Sequence, residues 1–111
     1  MVGLSSSPFG STARSQVLLA LRLMGSSYAR ELSRLLDLAL NGVQGSLRSL
    51  ERDGLIIARP VGRTRVFELN PRYFAASALT GYLDKLTAVD RDLQSRVAAL
   101  RRRPRRSGKP V

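Results

Sequence analysis

The chain of 111 residues contains no cysteine and no histidine, and only eight acids. Without cysteine there is no disulfide, no thiolate metal site and no thiol nucleophile. Without histidine the commonest general base and metal ligand is gone. Asp37, Glu51 and Asp53 lie near one another in the chain, but helix capping and pairing with arginine account for them. No glycine-rich phosphate loop followed by lysine occurs. An enzyme, a metal centre and a cofactor site are therefore not expected. No apolar run approaches the roughly 18 residues that span a bilayer. The opening MVGLSSSPFG lacks a basic region followed by a long apolar core, so it does not read as a secretory signal. A cytoplasmic location is expected.

What is present is positive charge. Lys and Arg number 19 and the net charge is +11. Arginine supplies 17 of the 19. A GC-rich coding bias favours arginine over lysine but does not set the sign. Counter-ion release from a phosphate backbone rewards such an excess, and the planar guanidinium fits phosphates and guanine edges. The charge is uneven. Residues 1–74 carry net +5, residues 75–100 carry net 0, and residues 101–111 carry net +6. A length of 111 residues allows one modest core.

Residues 1–9 are small and polar and are expected to be flexible. In GSTARSQVLLALRLMG, Val17, Leu18, Leu21 and Met24 repeat at helical spacing, Ser11 or Thr12 caps the start, and Gly25 stops the helix. SSYARELSRLLDLAL predicts a second helix with Ala29, Leu32, Leu35 and Leu36 inward. From Asn41 to Asp53, Val43, Leu47 and Leu50 form one face of a third helix, with Gly54 as its stop. LIIARPVGRTRVFEL changes period and reads as a hairpin with Gly62, Arg63 and Thr64 at its tip. Pro60 sits near that tip, where it removes no central ladder bond. After Asn70-Pro71, one long helix is expected over residues 72–101, with Tyr82, Leu86, Val89, Leu93, Val97 and Leu100 spaced close to a heptad seam. The tail RRRPRRSGKPV has no core-forming residue and is expected to be disordered.

Gly42-Val-Gln-Gly45 matches the Gly-x-x-Gly of KH modules, in which a loop clamps a single-stranded backbone. Four residues with two fixed glycines recur by chance, however. Neither intervening residue is basic, and Val43 is needed for the stripe of Leu47 and Leu50. A groove-entering helix uses more of the chain. Three short helices, a hairpin with an arginine tip and a further helix are the order of a winged helix-turn-helix.

The segments FGSTARSQVLLAL, YARELSRLLDL, GVQGSLRSLERDGLI and GRTRVFELNP resemble the first helix, positioning helix, recognition helix and wing of the ArsR/MarR-like group of prokaryotic winged-helix regulators. The resemblance covers Phe9 to Pro71 and implies a mainly α fold with a small β-hairpin wing that binds double-stranded DNA in transcription regulation. The metal-sensing members use Cys and His clusters that this chain lacks, so sensing by thiol or metal is not implied.

On this resemblance the helix at 41–53 enters the major groove, with Gln44 suited to adenine and Arg48 to guanine. Asn41, Gly45, Ser46 and Ser49 approach base edges or phosphates. Gly42 and Gly45 either let the backbone come close or are neutral surface glycines. Arg52 contacts a phosphate or pairs with an acid. The wing at 60–65 brings Arg63, Thr64 and Arg65 to a minor groove or the backbone. Ser27, Tyr28 and Arg30 open the positioning helix, where Ser27 caps the helix, holds a phosphate, or does both. Arg14 and the Arg101–Arg106 run are electrostatic candidates. Tyr82, Leu86, Val89, Leu93, Val97 and Leu100 either form a homodimer interface or fold back over their own domain; the homodimer is expected, because a thirty-residue helix outruns a seventy-residue core. The expected organisation is a flexible N-terminus (1–9), a winged-helix DNA-binding domain (10–71), a long C-terminal helix (72–101) and a disordered basic tail (102–111). Two alternatives stand beside this reading: a non-specific architectural nucleic-acid-binding protein that uses the same basic residues, and a protein-interaction module with the winged helix as scaffold, the long helix as the active surface and an unidentified partner protein.

Overall fold

A computed structural model describes residues 11–102. The expectations for residues 1–9 and for the tail beyond Arg102 lie outside the described residues. The elements are α1 (Thr12–Met24), β1 (Ser26–Tyr28), α2 (Ala29–Leu36), α3 (Leu40–Arg52), β2 (Ile56–Val61), β3 (Thr64–Leu69), α4 (Ala76–Val89) and α5 (Arg91–Arg102). No described helix is long and apolar enough to cross a membrane.

α1 begins where the Ser11 hydroxyl accepts the Arg14 amide at 3.1 Å. It ends at Gly25, whose φ of +86° suits glycine and whose N–H reaches the Leu21 carbonyl. The stripe expected from its spacing is wider in the structure. Val17, Leu18, Leu19, Ala20 and Leu21 are all buried, because α1 is flanked by α2, α3, α4, α5 and β3. A helix with this many neighbours buries more than a single stripe, leaving only a narrow side with Arg22 in solvent.

The sheet is antiparallel with strand order β1-β3-β2. The hairpin matches its expectation. Val61 pairs with Thr64, and Gly62 and Arg63 form the two-residue turn. Gly62 has φ +63° and Arg63 does not have positive φ, the pattern of a type II′ turn. Pro60 lies on the edge strand β2. The third strand is a correction. Ser26–Tyr28 pairs with Val66–Glu68 rather than opening a helix, and α2 starts at Ala29 with no side-chain cap. Ser26 and Ser27 make no period-2 apolar pattern, so pairing with the hairpin decides their conformation. Asn70 fastens the hairpin to the end of α3: its amide donates to the Gly54 carbonyl and its backbone N–H to Leu55, each at 2.9 Å.

The single long helix over 72–101 is also corrected. Residues 71–75 form turns, and the remainder is two helices broken at Asp90 (φ −96°, ψ 80°). Asp90 is buried, and its carboxylate accepts the Leu93 amide at 3.0 Å, capping α5. The break lets α5 fold back against α1 and α2. Leu93 and Val97 are thereby buried in their own chain, together with Leu79 and Leu83 of α4, and cannot form an exposed seam. Two α5 arginines then serve exposed helix ends. Arg96 donates to the Leu35 carbonyl at 2.9 Å and Arg101 to the Leu23 carbonyl at 2.6 Å, so the last turns of α2 and α1 receive cations.

Candidate nucleic-acid interface

Val43, Leu47 and Leu50 bury the inner face of α3. At 100° per residue this leaves Asn41, Gln44, Arg48 and Arg52 together on the outer face, and all four are exposed. Gly42 and Gly45 lie within this helix, so the loop geometry of a KH clamp is absent. Nothing in the fold requires glycine at 42, where an added Cβ would meet no atom within 4 Å. At 45 the nearest atom is the Arg48 guanidinium, 3.8 Å away, lying back over the glycine.

The outer face of α3 borders an open groove of about 490 Å³ between the start of α2 and the hairpin. Arg30, Arg48, Arg63 and Arg65 converge on it, with Gln44 and Tyr28 among the other lining residues and no acid. Arg63, at the hairpin turn, is exposed, as is Thr64 beside it. Arg65 is tied back: it pairs with Glu51 of α3 at 2.9 Å and lies over the Phe67 ring at 5.3 Å. That contact ties β3 to α3. Pairing of Glu51 with an arginine follows the sequence reading; which arginine was not legible, because the partner lies 14 residues away on the hairpin.

Three expected contacts point elsewhere. Ser46 is buried. Ser49 turns toward α1, where Arg14 donates to its hydroxyl and also pairs with Asp53 at 3.1 Å. Arg14 is thus a clamp between α1 and α3. Ser27 is buried, and its hydroxyl donates to Glu31 at 2.6 Å, because it sits in the edge strand β1 paired with Phe67 rather than opening a helix. Arg52 is exposed and also reaches Ser49, at 3.4 Å. Among the described residues no cluster of three or more Cys, His, Asp or Glu side chains could hold a metal.

A helix with an exposed polar face, preceded by a short helix and followed by a hairpin beside the same groove, decides the architecture. The fold is a winged helix-turn-helix. Solved structures with this fold bear it out. MarR from E. coli in its apo form superposes with a TM-score of 0.60 at 21% identity, over 84% of this chain and 68% of that one. A mutant MarR from E. coli complexed with operator DNA gives 0.58 at 22% identity, over 82% and 64%. The adhesin competence repressor AdcR from Streptococcus pyogenes gives 0.57 at 20% identity, over 83% and 72%. These neighbours are MarR-family regulators. No family model matches the chain, and no curated protein matches it in sequence. By position in this fold, α2 and α3 are the two helices of the helix-turn-helix and β2–β3 is the wing.

Proposed function

We infer that the chain is a sequence-specific, double-stranded-DNA-binding transcription regulator that acts as a homodimer and has no enzymatic activity. The observation that carries this reading is the acid-free groove that Gln44 and Arg48 of α3 line together with Arg30 and Arg63. The major groove admits one α-helix. Gln44 and Arg48 offer the paired donors and acceptors suited to adenine and guanine, and Asn41 lies on the same face. Arg30 and Arg63 flank them as phosphate or minor-groove contacts. The operator complex of a structural neighbour supports DNA as the partner. A cytoplasmic location accords with that role. A dimer would set two recognition helices about one helical turn apart, giving half-sites about 10 base pairs apart or a multiple.

Selection from a random double-stranded DNA pool at about 0.15 M salt tests the reading. An enriched palindrome is the expected result. Strong retention without a motif would replace it with architectural, sequence-independent binding. No retention would overturn DNA binding altogether and leave a protein-interaction role.

A further inference from the structure

Arg59–Arg65 are seven consecutive exposed residues, the longest such run among the described residues. They are the facing ends of β2 and β3 with the two-residue turn between them. An enzyme that modifies a side chain needs an exposed, extended stretch of this kind. Thr64 carries the only hydroxyl in the run. Among the described residues that hydroxyl makes no hydrogen bond. The other described Ser and Thr side chains are less available. Ser15, Ser27, Ser46 and Thr87 are buried. Ser33 and Thr80 donate to backbone carbonyls, Arg14 holds Ser49, and Ser11 caps α1. Thr12, Ser77 and Ser95 sit within helices, whose backbone cannot be drawn out without breaking its own ladder. Ser26 is half-buried and paired with Glu68.

The surroundings of Thr64 name the chemistry. Arg59, Arg63 and Arg65 stand five residues before it, one before and one after. Such a flank suits a modifying enzyme with an acidic cleft. Thr64 also lines the groove on which Arg30, Arg48, Arg63 and Arg65 converge without an acid. A phosphate ester on a threonine adds about −1.5 to −2 of charge at pH 7 and three strong acceptor oxygens. Guanidinium groups are the side chains that bind such an ester best. Placed here, it would cancel close to half the charge of the four arginines.

We propose that Thr64 is a phosphorylation site whose phosphate closes the groove to DNA. In the transfer, Thr64 Oγ1 attacks the γ-phosphorus of ATP. The new O–P bond forms as the bond to the β,γ-bridging oxygen breaks, ADP leaves, and the hydroxyl proton passes to the aspartate of a serine/threonine kinase. The phosphate then competes with DNA phosphates for Arg63 and its neighbours and repels the duplex by like charge. The closing of the groove rests on the DNA-binding reading above; it does not require the dimer.

Two experiments on the full chain test this. In the first, the chain is incubated with magnesium, γ-labelled ATP and a soluble extract of the cells that make it, one that labels its own proteins in the same tube. Label should enter the wild type and Thr64→Ser, and not Thr64→Val, whose melting temperature should match the wild type. An unlabelled wild type, or equal labelling of wild type and Thr64→Val, overturns the acceptor. In the second, the chain is made with phosphothreonine encoded at position 64 and titrated against the selected operator at about 0.15 M salt. Affinity should fall roughly tenfold or more, the slope of log affinity against log salt should be shallower by about 2, and a protein phosphatase should restore both. Equal affinity of the two forms overturns the closing of the groove. An unmodified chain that binds no DNA overturns the DNA-binding reading and the closing with it, whereas the labelling decides the acceptor by itself.

Discussion

Arg48 and Gly42 separate two requirements placed on α3. Arg48 is exposed on the outer face of α3 and pairs with no acid among the described residues. Replacing Arg48 with alanine should leave folding intact, cost about 1–3 kcal/mol of binding to the selected operator and relax preference at one base pair. Titration against the operator and its single-base variants measures this, and an unchanged preference would remove Arg48 from base reading. Gly42 is exposed with open space around it, so Gly42→Ala should stabilise the fold by about 0.5–1 kcal/mol. If the glycine serves close approach to DNA, the same variant should bind the operator more weakly. A thermal melt beside a binding titration reads both, and a variant no more stable than wild type would show that α3 is constrained at this end by something other than propensity.

Between α4 and α5 a single side chain decides the arrangement of two helices. Leu79, Leu83, Leu86, Leu93, Val97 and Leu100 follow a 4-3 spacing whose missing member is residue 90. Asp90 occupies that position, buried, with its carboxylate on the α5 amide. Alanine is the better helix former, yet Asp90→Ala should destabilise the protein by about 1 kcal/mol through loss of the cap. A continuous helix would also draw Leu93 and Val97 away from the core. Urea denaturation decides between these effects, and a more stable Asp90→Ala variant would sink this account of the break.

At the scale of the whole molecule, α1 is the hub, and one ion pair fastens α4 to its outer side. Arg22 donates to both oxygens of Asp84, at 2.6 and 3.0 Å. These hydrogen bonds hold the Asp84 carboxyl below the usual aspartate range. A lowered carboxyl pKa contributes stability above the unfolded value, about 3.9, and loses it as pH falls through the folded value. Asp84→Asn should therefore lose less stability on acidification below about pH 4 than the wild type does. The difference should be modest, because both side chains are substantially exposed and the pair is screened by solvent. Denaturant titrations at stepped pH check this; parallel acid limbs would mean the pair adds nothing.

The third helix, the hairpin and the basic surface were all legible in the order of residues, because each rests on local rules. Val43, Leu47 and Leu50 recur at the helical period, Gly54 and Gly62 sit where φ is positive, and charge is additive. So was the outer face carrying Gln44 and Arg48, which follows from the inner one. The remainder depended on partners distant in sequence. Ser26–Tyr28 became a strand because β3 was there to pair with it, and that buried Ser27. Ser49 turned to Arg14, 35 residues earlier. The six-residue seam divided because α5 found α1 and α2 to cover it. Periodicity fixes which residues share a face; only the packed fold decides whether that face meets its own chain, another copy or DNA, since burial is a property of the neighbours.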